Sequence, residues 1–237
     1  MKEPSLDQIT RGLQEWAGAA ADGDFGKLSV SAAWEKAGRP LRAVDRAELE
    51  KPVVVRAIPW LGELWDTVET RSMWKMRAIG AADRIRANRS RYESVEAVTG
   101  CPWWVIGLIH LLEGNLNFGT HLHNGDSLKR RTVQVPRGRP KTGEPPFTWE
   151  ESAIDAIRYD KLDDRGEDFW EQPSLVLDAL ERYNGLGYRK KPIHSPYLWS
   201  GTNHYTCGKY VADGRYDANA VSNQVGAVPV IKELGVL

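Results

Sequence analysis

Apolar positions recur at helical spacing through most of the chain from Trp60 onward. The run "WLGELWDTVETRSMWKMRAIGAADRIRA" is amphipathic along its length and predicts one long helix. "YESVEAVTG" predicts a short helix closed by Gly100. "PWWVIGLIHLLEG" is apolar on nearly every face, so it predicts a buried helix with Pro102 at its first turn and Gly114 just past Glu113. Residues 115–147 lose the period, and "VPRGRPKTGEPP" reads as loop. "TWEESAIDAIRYDKL" opens on a capping box, Thr148 to Glu151, and "PSLVLDALERYNGLG" predicts a helix from Pro173 to Gly185. "SPYLWSGTNHYTCGKYVADGRYD" is aromatic, polar and Gly-rich, and reads mostly as loop.

Upstream, "SLDQ" forms a second capping box, Ser5 to Gln8, ahead of Ile9, Leu13 and Trp16 at helical spacing. "ADGDFG" is a turn, and "SVSAAWEKAG" predicts a short helix ending at Gly38. "RPLRAVDRAELEKPV", charged and carrying two prolines, reads as a linker. The pattern therefore predicts a mainly α protein with a small helical unit and linker over residues 1–45. A larger helical domain with a long loop insertion follows over 46–237.

The chain has 237 residues, 41% hydrophobic and 27% charged, enough for a substantial core. Lys+Arg and Asp+Glu are 32 each, which gives no argument for nucleic acid or an anionic membrane as partner. Two cysteines, Cys101 and Cys207, make neither a disulfide framework nor a zinc finger. "MKEPSLDQIT" lacks a signal-peptide pattern, and the apolar run from Trp103 to Leu112 is too short to span a bilayer. The expectation is synthesis in a reducing cytoplasm. Ten tryptophans read as core packing, or as rings lining a groove where sugars stack.

The chemistry concentrates in "HLLEGNLNFGTHLHNGDSL". Glu113 ends the apolar helix, where burial and the negative end of the helix dipole both raise a carboxyl pKa. An acid that keeps its proton near neutral pH suits protonation of a leaving-group oxygen. The plain alternative is an exposed C-terminal glutamate. Asp126 is a candidate second carboxylate or a turn aspartate in "NGD". His121 and His123 have weak metal-ligand spacing and read better as hydrogen-bond donors to Asp126 or to substrate carbonyls. Asn115, Asn117 and Thr120 add hydrogen-bond donors and acceptors to the same loop. Lys129, Arg130, Arg131, Arg137, Arg139 and Lys141 form a basic run without an acid, either a solvated loop or a contact for carboxylates.

"YESVEAVTGCPWWVIGLIHLLEGNLNF" resembles the core of the lysozyme-like superfamily, in particular lytic transglycosylases and goose-type lysozymes. The likeness rests on the turn Thr99-Gly100-Cys101-Pro102, the acid Glu113 and Phe118. "ALERYNGLGYR" resembles the transglycosylase Tyr-Asn-Gly motif through Tyr183, Asn184 and Gly185. "HLHNGD", "RTVQVPRGRP", "PPFTWEESAIDA" and "SPYLWSGTNHYTCGKY" are similar to bacterial and phage lysozyme-like proteins. The likeness covers about residues 60–222. It implies cleavage of the peptidoglycan MurNAc-β-1,4-GlcNAc bond with Glu113 as general acid and no cofactor or metal.

Asp126 follows Glu113 at an offset where goose-type lysozymes also carry an aspartate. It is the candidate to activate a water across the cleft, roughly 6.5–9.5 Å from the acid in an inverting enzyme. Asn117, Thr120, His121, His123, Tyr183, Asn184 and Tyr205, with Trp199 a weaker candidate, become substrate-binding candidates. Gly114 replaces the usual Ser after the acid, and the "GLMQ" segment of transglycosylases is absent. "LQEWAGAAADGDFGKLSVSAAW" resembles small peptidoglycan-binding modules, shortened and without the first helix. Together these imply a monomeric phage or prophage endolysin that waits in the host cytoplasm and acts on the wall. A lytic transglycosylase and a non-catalytic wall-binding protein are the alternatives.

Overall fold

The computed structural model describes residues 58–163, 165–212 and 214–237. The Ser5 capping box, the wall-binding-like unit and most of the linker lie outside the described residues. Nine α-helices and one two-stranded sheet are present among the described residues. They are α1 Pro59–Asp66, α2 Ser72–Ala87, α3 Arg89–Thr99, α4 Trp103–Gly114, α5 Trp149–Tyr159, α6 Glu167–Trp170, α7 Pro173–Asn184, α8 Pro196–Trp199 and α9 Ala227–Leu234. A 3₁₀ turn, Leu186–Lys190, follows α7. Strands β1 Lys209–Ala212 and β2 Arg215–Asp217 form an antiparallel hairpin, with Tyr210 opposite Tyr216.

Helix α4 is the axis of the core. Trp104 through Leu112 are all buried, as an all-round apolar segment requires. It packs against α2, α3 and α9. Helix α3 also packs on α5, while α7 packs on α1, α6 and α8. Trp65, Trp104, Trp149, Trp170 and Trp199 are core residues, which supports the packing role for most tryptophans among the described residues. Trp60 is the one exposed beyond a third among the described residues. No single helix among the described residues is long and apolar enough to cross a membrane.

The long helix predicted over residues 60–87 is two helices. Between them residues 67–71 run across the loop at 201–203. Asn203 Oδ1 accepts from Glu69 N–H (2.9 Å), its amide donates to Thr67 O (3.0 Å), and Arg71 N–H donates to Gly201 O (2.9 Å). Thr67, Val68 and Thr70 are β-branched and lose little by leaving the helix. The apolar period also fails beyond the break, because Met73 and Met76 are exposed. The capping box at Thr148 is present in both directions: Thr148 Oγ1 accepts from Glu151 N–H and Glu151 Oε2 from Thr148 N–H. In the segment read mostly as loop, the structure adds α8 and the hairpin. Helix α9 lies beyond the stretches assigned from sequence; its Pro229 sits in the first turn, where no intrahelical N–H is needed.

Candidate functional site

Helix α4 ends at two successive left-handed residues, Asn115 (φ 48°) and Leu116 (φ 60°), and Leu116 N–H donates to His110 O (3.1 Å). Gly114 was expected to stop the helix, but it is the last helical residue. Space explains the glycine: a Cβ there would lie 2.9 Å from Thr120 Oγ1. Arg84 Nη2 donates to Asn115 O (2.9 Å) and holds the turn. The terminal turn thus presents Glu113 at a fixed place, partly shielded from solvent.

Burial pushes the Glu113 carboxyl up to about 7. Tyr197 of α8 opposes the rise by favouring the ionised form, and the charge of Asp160 adds to it. The Tyr197 hydroxyl is buried beside the Glu113 carboxyl and has no partner of normal hydrogen-bond geometry among the described residues. Asp160, directly after α5, is itself pushed up to about 6 by burial, against the pull of Arg139. Tyr183, near the end of α7, also lies in the field of both acids; burial first, then those charges, hold its phenol well above the usual range. Four helices therefore bring Glu113, Asp160, Tyr183 and Tyr197 together. Asp160 and Tyr197 were not among the residues singled out in the sequence.

The loop after α4 folds back on itself and on α5. Thr120 pairs with Ser127, and His121 N–H donates to Asp126 O (2.6 Å). Asp126 Oδ2 accepts from Val133 N–H (2.8 Å) and Gln134 N–H (3.0 Å). Desolvation acts to raise its pKa, but these amides with Asn124 and Arg130 outweigh it and hold the carboxyl below the usual range. Asp126 does not contribute to the shift of Glu113. Its neighbour Gly125 does approach the acid's backbone, since a Cβ there would lie 2.8 Å from Glu113 O.

The two histidines are placed differently from expectation. His121 is buried, with Nδ1 against Ser152 Oγ (2.8 Å) and Nε2 against Arg130 O (2.8 Å). His123 is buried, with Nε2 against Asp155 Oδ2 (2.9 Å); burial holds its pKa below the usual range, opposed by Asp155. Both rings tie the loop to α5, and neither bonds the Asp126 carboxylate. Asn117 Oδ1 accepts from Gly119 N–H (2.9 Å) and Thr120 Oγ1 donates to Asn117 O (2.9 Å), so both organise the turn. Tyr183 Oη donates to Leu122 O (2.9 Å), so its hydroxyl anchors the same loop rather than Glu113.

Tyr205 is buried, bonded to Gly208 O and Ser222 N–H, and Trp199 is in the core; neither lies on a groove surface. Asn184 is exposed and lines a cleft beside the hairpin. The basic run is only partly solvated. Arg139 makes a two-point ion pair with Asp155 (2.8 and 2.6 Å), Arg131 donates to Pro140 O and Gly143 O, and Arg137 donates to Val133 O. Among the described residues no group of three or more His, Cys, Asp and Glu side chains is arranged to hold a metal ion.

No family model matches the chain, and neither a curated protein nor a solved structure matches it.

Proposed function

We propose that the chain cleaves the glycan strand of peptidoglycan at the MurNAc-β-1,4-GlcNAc bond, with Glu113 as general acid. The observation that carries this reading is the state of Glu113: a carboxyl at the end of an apolar helix, pushed up to about 7 and flanked by Asp160, Tyr183 and Tyr197. Such an acid keeps its proton up to about pH 7 and can deliver it to the glycosidic oxygen as the bond breaks. The substrate class rests on the resemblance of the Thr99–Phe118 and Tyr183–Gly185 segments to lysozyme-like enzymes. A phage or prophage endolysin role rests on the likeness of "LQEWAGAAADGDFGKLSVSAAW" to small peptidoglycan-binding modules.

Hydrolysis requires a base for water, and the two carboxylates available differ. Asp126 is ionised but one oxygen is held by two backbone amides. Asp160 is within the field of Glu113. The engagement of Asp126 favours, as a second reading, a lytic transglycosylase, in which the muramic 6-hydroxyl attacks and Glu113 acts as acid and then base. Mass spectrometry of digested wall separates the two. Reducing muramic ends mean hydrolysis, and 1,6-anhydro ends mean transglycosylation. Glu113→Gln should abolish clearing of a wall suspension; clearing at the wild-type rate would refute the assignment and leave a wall-binding protein.

A further inference from the structure

At the end of α4 opposite to Glu113, a cleft of about 720 Å³ opens between the start of that helix and α6. Trp104 and Trp170 supply its aromatic surface, and Glu96, Glu167 and Glu171 its charge. Trp104 and Glu113 lie on one helix, ~14 Å apart at 1.5 Å of rise per residue, so the cleft is separate from the acid. None of the three glutamates makes an ion pair among the described residues. Basic residues close in sequence are engaged elsewhere. Arg89 pairs with Glu93 (2.7 Å) and Arg91 with Glu150 (2.7 Å), while Arg165 donates to Lys161 O (2.7 Å) and lies over the Phe169 ring at 5.0 Å. The segment "LDDRGEDFWE", Leu162 to Glu171, carries five acids and one base; Asp164 among them lies outside the described residues.

The carboxylates do not converge on one point. Among the described residues no group of three or more His, Cys, Asp and Glu side chains is arranged to hold a metal ion. A ligand that satisfies them spreads its positive charge over separate groups. Trp170 adds an independent demand. It is 6% exposed, borders the cleft, and its buried indole Nε1 has no acceptor among the described residues. A buried donor left without an acceptor is costly. A protonated aliphatic amine offers no acceptor, whereas a peptide carbonyl does. At Gly166, φ 75°, a Cβ would meet nothing within 4 Å, so the backbone beside the glutamates is open to an approaching chain. Indole faces suit both the cations and the methylene stems of basic side chains. Muramic acid brings a carboxylate and no cation, so the cleft does not extend a glycan site.

We infer that this cleft docks a basic peptide segment of another protein. Its Lys or Arg side chains cross Trp104 and Trp170 to reach the three glutamates, and a backbone carbonyl accepts from Trp170 Nε1. The inference stands apart from the glycan-cleaving reading and from its tests. The full-length protein is titrated with acetylated and amidated tetralysine, with tetraglutamine capped in the same way, and with spermidine, by calorimetry and NMR. Tetralysine should bind saturably, less tightly at high salt, and should shift the amides of Gly100 and Gly166 and the Trp170 indole N–H. Tetraglutamine should not bind. Glu167→Gln combined with Glu171→Gln should weaken tetralysine about fivefold, the combined worth of two exposed ion pairs. Trp170→Phe should weaken it about fivefold, the worth of one hydrogen bond. Both glutamates are exposed, so their double variant keeps its fold and decides the matter if Trp170→Phe does not. The inference is overturned if tetralysine does not bind saturably, if tetraglutamine binds equally, if the Gly100, Gly166 and Trp170 signals stay unmoved, or if the double variant binds as wild type does. Spermidine binding as tightly as tetralysine makes the cleft a polyamine site and overturns the peptide assignment.

Discussion

Between about pH 4.5 and about 7 the folded protein binds the Glu113 proton more tightly than the unfolded chain does. Stability therefore falls as pH rises through that window and levels off above it. Glu113→Gln mimics the protonated side chain at every pH. It should be more stable than wild type near pH 8, by on the order of 2–3 kcal/mol at ~1.4 kcal/mol per pKa unit. The gap should close below about pH 4.5, as read by thermal melting at each pH. Equal melting of the two proteins near pH 8 would mean that Glu113 titrates as an ordinary surface glutamate. Asp160→Asn removes the charge that adds to the Glu113 shift. The alkaline fall in wall-clearing activity, expected near pH 7, should move to lower pH in that variant. An unmoved profile would separate Asp160 from the acid. Nothing in the sequence marks Asp160: in "RYDKLDDRGED" it is one of several acids, and only its placement in the folded chain, where its charge reaches Glu113, singles it out. Tyr197 was hidden for a related reason, since its short helix sits in a segment whose composition reads as loop.

At the scale of elements, the loop between α4 and α5 shows what local pattern can and cannot supply. Loss of helical period over residues 115–147 correctly gave an irregular segment, and the Thr148 capping box correctly opened α5. Buried α4 was also legible, because an all-round apolar run has one physical solution. The break between α1 and α2 was not legible, because the contacts that pay for it come from residues 201–203. Nor was the fate of the polar loop residues, since Asp126, His121, His123 and Arg139 find their partners up to 32 residues away. Asp155 is the chief of these partners: it accepts from Arg139 and faces His123, with only 15% of its side chain exposed. Asp155→Ala leaves a guanidinium and a buried imidazole without their shared acceptor. It should cost about 2–4 kcal/mol, somewhat less than breaking a fully buried pair. Hydrogen exchange should speed up across residues 126–140 while the α2 and α4 amides stay protected. Uniform exchange behaviour in wild type and variant would show that the loop is held by something else.

For the described domain as a whole, the mainly α architecture was readable from helical spacing, while the late hairpin and α9 came from the structure. One feature of the core now bears on how this domain meets acid. His110 is buried on α4 against Tyr92, Phe118 and Trp149, with Nδ1 3.1 Å from the Tyr92 hydroxyl, and burial pushes its pKa down to about 4. The unfolded chain takes up that proton already near 6.5, so His110 draws stability away as pH falls from about 6.5 to about 4. His123, depressed by the same cause, acts in the same direction. Glu113, and Asp160 raised by the same cause, act in the opposite sense over nearly the same interval. Protons released by these two acids on unfolding are thus largely captured by the two histidines, and the melting temperature should be nearly level between about pH 4.5 and about 6.5. Glu113→Gln removes part of one side of this exchange. Its melting temperature should slope steadily downward with acid across that interval, and unfolding should then consume protons in a weakly buffered solution where the wild type releases and absorbs them almost equally.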